Sequence, residues 1–118
     1  MDTKKAIMAF SQSEKIKSGI IWLSHTLQLL GSLPALETQG GETIIKTLAD
    51  MVFQEIQLAK SVAGDDQWKD AEISLDRAII MINSGVGPEA IIHLTQALSQ
   101  VTSIGQRSMS FLQEQGLL

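Results

Sequence analysis

Hydrophobic residues recur at helical spacing along most of the chain. Intervals of four and three residues place them on one face of an α-helix, and the clearest series begins at Ile16. Glycine and proline interrupt the pattern near residues 31–41, 64–66 and 85–88. The pattern therefore predicts four long helices. The series in the first helix is Ile16, Ile20, Leu23, Leu27 and Leu30.

The start of the first helix is predicted from a capping motif. Ser11-Gln12-Ser13-Glu14 has the form of a capping box, in which a hydroxyl and a glutamate three residues later each bind a free backbone N–H. The helix is therefore predicted to begin at Ser11 or Ser13. Residues 3–10 fit two alternatives, a short extra N-terminal helix or an extension of the first long helix, and their sequence does not choose between them.

The second and third predicted helices are joined by a short turn. The second is predicted over residues 42–63, after Gly40-Gly41, and the third over residues 66–84. Gly64-Asp65-Asp66 combines a helix stop with an acidic N-cap for the third helix. Because this turn is short, the two helices are predicted to be antiparallel neighbours. Their core series are Ile45, Ala49, Val52, Ile56, Ala59 and Ala63, and then Ala71, Leu75, Ala78 and Ile82.

The fourth helix is predicted over residues 88–115, with Pro88 in its first turn, where a missing N–H costs nothing. Between Glu89 and Glu114 the one strongly charged residue is Arg107. An uncharged face rich in Ser, Thr and Gln is typical of contact with another chain. The predicted core series is Ala90, Leu94, Ala97, Val101, Ile104 and Phe111, interrupted by Ser108.

Together the four segments predict an all-α fold, an antiparallel up–down four-helix bundle, in one domain over residues 1–118. The chain has 118 residues, of which 44% are hydrophobic, and a net charge of −4 at pH 7. It contains no cysteine, which excludes disulfides, thiolate zinc sites and cysteine nucleophiles.

Charge and hydropathy narrow the range of partners. Acidic residues concentrate between residues 50 and 76, and the chain has only two arginines, so the clustered cations that nucleic acid requires are missing. No apolar run approaches the roughly 20 residues of a membrane helix. We therefore expect a cytoplasmic protein that binds neither nucleic acid nor a membrane. The sequence has no glycine-rich phosphate-binding loop and only two histidines, so we expect no cofactor.

More apolar residues lie at the margins of the predicted core series than one small core can cover. Both tryptophans lie at such margins, and tryptophan is a favoured anchor at protein interfaces. The surplus predicts self-association, most simply as a two-fold homodimer. The favoured function is a non-enzymatic interaction module that also binds a partner protein. The candidate interface residues are Trp22, Leu29, Trp68, Ile92, Gln96 and Gln100.

A second hypothesis concerns His25. His25-Thr26-Leu27 resembles the start of the motif of histidine-phosphotransfer domains, which are small helical bundles with the acceptor histidine on a helix. The resemblance implies a phosphoacceptor role for His25, on the predicted solvent side of the first helix. The following positions depart from the family motif, because Gln28 and Leu29 stand where it has lysine and glycine.

A third hypothesis is a metal-dependent bundle enzyme. Glu89 and His93 are four residues apart and can face the same way on a helix. Dimetal bundles use Glu-x-x-His pairs from two helices, whereas this chain has a single Glu-x-x-x-His. The pattern therefore favours a local contact between these two residues and a solvated acidic face, and no metal site is predicted. The acidic group considered is Asp65, Asp66, Asp70, Glu72 and Asp76.

Overall fold

Residues 2–118, which the computed structural model describes, form four α-helices. They are α1 (Thr3–Leu30), α2 (Ala35–Ala63), α3 (Asp65–Asn83) and α4 (Gly87–Glu114). Helices α1 and α3 each pack against both α2 and α4. Short connections make successive helices antiparallel, so this part of the chain is an up–down four-helix bundle, as predicted. The bundle measures 54 × 21 × 19 Å.

Helix α1 begins at Thr3, so residues 3–10 extend the first long helix. Asp2 is its N-cap, and the Asp2 carboxylate accepts a hydrogen bond from the Lys5 backbone N–H at 2.8 Å. The apolar face continues through Ala6 and Ala9, which are both fully buried, so packing supports the helix over this whole stretch.

The predicted capping box at Ser11-Gln12-Ser13-Glu14 is therefore wrong. Ser13 lies in the interior of α1, is buried, and donates its hydroxyl hydrogen bond to the Phe10 carbonyl at 2.8 Å. Gln12 is also buried and reaches across to α2. These side chains serve the contacts between helices instead of a helix start.

Helix α2 begins at Ala35 rather than at residue 42, because Gly40 and Gly41 do not break it. Glycine weakens a helix by about 1 kcal/mol relative to alanine, which packing can offset. The side chain of Leu30 lies close over Gly41, and a Cβ at that position would stand 2.8 Å from Leu30 Cδ1. The glycine that looked like a break thus makes room for the end of α1.

Gly64 alone connects α2 to α3. Its φ of +105° is a conformation that residues with side chains rarely adopt. Gly64 is also the N-cap residue of α3, so no side chain at that position bonds the free backbone N–H groups of the helix. Asp65 and Asp66 lie in the first turn. The predicted acidic N-cap is therefore wrong, although both charges still face the positive end of the helix. The predicted antiparallel pairing of α2 and α3 is confirmed.

The core follows the predicted series closely and differs from it at the C-terminal ends of the series in α1 and α4. Leu30 and Phe111 are half-buried, and Leu112 takes the place of Phe111 on the core side of α4. Ser108 does not interrupt the seam, because it is fully buried and donates a hydrogen bond to the Ile104 carbonyl.

None of the helices in residues 2–118 combines the length and apolar character that crossing a bilayer requires.

Trp68 is the largest fully buried side chain, which corrects its prediction as an interface residue. It extends the core series of α3 by one step, since Trp68, Ala71, Leu75, Ala78 and Ile82 follow intervals of three and four residues. The helix begins at Asp65, so Trp68 occupies the first full turn of the buried face rather than its margin.

Candidate interaction surface

Helix α2 carries two adjacent hydrophobic seams with the same spacing. The core seam that begins at Ile45 is buried along its full length. The second seam runs one residue ahead of it and is half-buried or exposed throughout. We call this second seam the outer seam. Its members are Ile44, Leu48, Met51, Glu55, Leu58 and Val62.

Helix α1 adds two apolar side chains next to the outer seam. Trp22 and Leu29 are seven residues apart, so they lie on the same side of the helix. Their exposed fractions are 62% and 60%, and those of Ile44 and Met51 are 71% and 58%. We call these two residues together with the outer seam the α1–α2 face. A solvated helix face is ordinarily polar, so this face departs from the usual pattern.

A groove of about 150 Å³ lies between α1 and α2 at the middle of this face. Trp22, Leu48 and Met51 line its walls, with Gly19 and Val52 beneath them. The absent side chain at Gly19 lets the helices approach, because a Cβ there would stand 3.0 Å from Val52 Cγ2. The result is a concave apolar surface with Trp22 beside it.

Paired charges lie at one end of the groove. Lys15 Nζ lies 2.9 Å from Glu55 Oε1, and Gln12 Nε2 donates to both the carbonyl and the carboxylate of Glu55 at 3.2 Å. The hydrogen bond from Lys15, followed by that from Gln12, lowers the pKa of the Glu55 carboxyl. Glu55 is thus the one charged member of the outer seam, and its charge is balanced locally.

The structure brings only part of the predicted interface set together. Trp22 and Leu29 belong to the α1–α2 face. Ile92, 63% exposed, and the exposed Gln96 lie on α4, which does not pack against α2 within the described residues. Gln100 is half-buried on α4, with its Oε1 atom buried and without a hydrogen-bond partner in this part of the chain.

Ile44 belongs to the surplus apolar residues that predicted self-association, but the candidate interface set left out Ile44 as well as the exposed residues Met51 and Leu58. A signal for them was present, since the outer seam repeats the intervals of four and three residues that define the core seam. The sequence identified the seam of Ile45 as the core seam, but periodicity does not show how much of the other seam the neighbouring helices leave exposed. The contacts of α2 with α1 and α3 decide that.

The histidines of the second and third hypotheses lie on different helices. His25 is exposed on α1, three residues after Trp22, as predicted from its position on the helix. His93 is half-buried on α4, and its Nδ1 atom is buried without a hydrogen-bond partner among residues 2–118. Within those residues no group of three His, Asp or Glu side chains is arranged to hold a metal ion.

Part of the acidic group ties α2 to α3. Lys60 Nζ lies 2.9 Å from Glu72 and 3.5 Å from Asp65, and Gln57 also donates to Glu72. The bond from Lys60 lowers the pKa of Glu72, and the same bond raises the pKa of Lys60. These residues therefore stabilise contacts between helices, whereas Asp66, Asp70 and Asp76 stay exposed.

Comparison with known proteins finds no matching family model, no similar curated protein and no similar solved structure. Among the described residues, the α1–α2 face joins the exposed apolar side chains of two adjacent helices in one surface.

Proposed function

We propose that this protein is a non-enzymatic helical interaction module that forms a homodimer and binds a partner protein. The observation that carries the proposal is the α1–α2 face, where an apolar seam and Trp22 are exposed on a bundle whose core is already filled. Large apolar surfaces of this kind are typical of sites that contact another protein. The proposed compartment is the cytoplasm, where a fold without cysteine does not depend on disulfide formation.

The outer side of α4 supports the proposal of a second surface for the partner. Ile92 and Gln96 are exposed there, and the stretch from Ala90 to Gln106 carries no Asp, Glu, Lys or Arg. Interface cores are depleted of charged residues, and apolar and amide side chains can pack there without a large desolvation cost. Two separate surfaces would let the module associate with itself and with a partner at the same time.

Light scattering coupled to size-exclusion chromatography tests self-association. We expect a molar mass near twice the 12.8 kDa of one chain at high concentration, falling toward the single-chain mass on dilution. A single-chain mass that persists at millimolar concentration would contradict this part of the proposal.

Affinity capture with matched variants tests partner binding. A partner that uses α4 should be recovered with the wild-type protein and lost with Ile92→Glu. The control is Ile80→Glu, which places the same charge on an exposed isoleucine of α3. Equal recovery with both variants would contradict the assignment to α4.

A second candidate function is histidine phosphotransfer through His25. The observation that favours it is the exposure of His25 on α1, since a phosphoacceptor has to be reached by a donor protein. Protein isolated at alkaline pH from cells that express it would then carry acid-labile phosphate. Loss of that phosphate in His25→Gln, with retention in His93→Gln, would favour this function over the interaction module.

A further inference from the structure

We infer that the occupant of the α1–α2 face is the same face of a second copy, with the two α2 helices antiparallel and Met51 at the two-fold axis. This inference rests on the proposed self-association and names the surface and the register that produce it. Three observations carry it, namely the area of the face, its charge and its spacing.

The area matches what a stable dimer needs. The most exposed side chains of the face are Trp22, Leu29, Ile44, Met51 and Leu58, at 62%, 60%, 71%, 58% and 48%. Together they present on the order of 500 Å² of apolar surface. A standard interface buries about 800 Å² per partner, of which roughly 60% is apolar. These five residues therefore supply the apolar share of such an interface.

The charge of the face favours a second copy over a strongly charged partner. Its one charged member, Glu55, is paired with Lys15 and Gln12, so the face has no excess charge to repel its own copy. The exposed acids Asp66, Asp70 and Asp76 lie on α3, outside this face. The overall charge of −4 therefore opposes association less at this face than at the acidic side of the bundle.

The spacing of the outer seam defines the register. Ile44 and Leu58 lie seven residues on either side of Met51, so all three point in one direction, as in a coiled-coil seam. A two-fold axis through Met51 and perpendicular to α2 places Ile44 against Leu58 of the partner subunit. The reverse contact follows from the symmetry. Met51 then meets the partner subunit's Met51.

Single-cysteine variants test the register directly, because the chain has no other cysteine. We expect Met51→Cys to form a covalent dimer on mild oxidation, because the two-fold axis brings the two copies of residue 51 together. A disulfide needs Cα atoms about 4.4–6.8 Å apart. Leu58→Cys alone should not cross-link, because the register separates the two copies of residue 58 by about 21 Å along the helix. Mixing Leu58→Cys with Ile44→Cys should restore cross-linking. Ile80→Cys on α3 is the control and should stay uncoupled.

A charge variant tests the same surface by affinity. Met51→Glu places two carboxylates together at the axis, so we expect the dissociation constant of the dimer to rise at least 100-fold in sedimentation equilibrium. Ile80→Glu should leave it unchanged. Circular dichroism should show the same helix content for both, since residues 51 and 80 are similarly exposed. If Met51→Glu fails to fold, the cysteine series decides alone.

The outcomes separate this inference from the proposed function. A wild-type dimer that Met51→Glu leaves intact, or that Ile80→Glu or Ile92→Glu dissociates, would overturn the inference and leave self-association standing. Cross-linking by Leu58→Cys alone at the rate of Met51→Cys would overturn the register. A wild-type protein that is monomeric at every concentration would overturn both.

Discussion

Ser13 on α1 and Gly105 on α4 meet inside the bundle. A Cβ at residue 105 would lie 2.6 Å from Ser13 Oγ and 3.3 Å from Ser13 Cβ. Both residues are buried, and the Ser13 hydroxyl is held by its bond to the Phe10 carbonyl at 2.8 Å. The two helices can approach this closely only because residue 105 has no side chain.

Gly105→Ala should therefore destabilise the protein although alanine favours a helix. Overpacking typically costs about 1–3 kcal/mol and the gain in helix propensity is about 1 kcal/mol, so we expect a net loss of about 1 kcal/mol in urea unfolding. Gly40→Ala is the matched control, since nothing lies within 4 Å of a Cβ there. It should gain about 0.5–1 kcal/mol.

The cost of Gly105→Ala should shrink when the clashing oxygen is removed. In the Ser13→Ala background the second substitution loses its contact with Oγ, so the coupling free energy of the double-mutant cycle should favour the double variant. Equal stabilisation by Gly105→Ala and Gly40→Ala in the wild-type background would show that the close approach is absent.

The two tryptophans should respond differently to truncation. Trp68→Ala removes a fully buried side chain and should cost about 3–5 kcal/mol of unfolding free energy. Trp22→Ala, measured at a concentration at which the protein is monomeric, should cost less than about 1 kcal/mol because that side chain is 62% exposed. Equal losses would contradict the placement of Trp68 in the core and Trp22 on the surface.

Stability should fall in acid through Glu55 and Glu72. Partners in the folded state lower the pKa of each carboxyl below its unfolded value of about 4.5. Each therefore stabilises the fold fully above that value, and this contribution is lost as the pH falls through the folded pKa. Urea unfolding at pH 7 and pH 3 should show a smaller difference for Glu55→Gln than for wild type. An unchanged difference would mean that the Glu55 contacts contribute nothing to the pH dependence.

Lys60 has the opposite effect on the pH dependence of stability, because its contribution is lost as the pH rises. Glu72 raises the pKa of Lys60, so its contribution is complete below the unfolded value of about 10.5 and is lost as the pH rises through the folded pKa. Lys60→Met should flatten the stability profile above pH 10. Lys69→Met is the control, since the ammonium group of Lys69 forms no ion pair with the residues described here. A profile that falls equally in both variants would contradict the role of Lys60.

Fluorescence can follow the proposed interface through Trp22. Trp68→Phe leaves Trp22 as the single tryptophan, and its emission should shift to shorter wavelength as concentration rises and the ring leaves water. Trp22→Phe leaves the buried Trp68, whose emission should not depend on concentration. If the molar mass of Trp68→Phe rises with concentration while its emission spectrum stays constant, the interface does not include Trp22.

The sequence alone was enough to predict the number, order and type of the helices. It also predicted the core series that begin at Ile16, Ile45, Ala71 and Ala90, because helical period and glycine punctuation are local properties of a chain. It did not predict where α1 and α2 begin. Helix α1 begins at Thr3 because Ala6 and Ala9 pack into the core, and the sequence pattern does not reveal this packing. Gly41 was interpreted as a helix break for the same reason, because its contact with Leu30 exists only in the packed bundle.

Tertiary structure decided which apolar residues are left over. The seams that begin at Ile44 and Ile45 have the same spacing and are offset by one residue. Periodicity identified the seam of Ile45 as the core seam, but it could not show that residues of the other seam are largely exposed. Trp68 and Trp22 both lie beside apolar series, yet one is enclosed by the bundle and the other faces solvent. Burial depends on contacts between helices distant in sequence, so only the packed bundle determines which surface remains available to another chain.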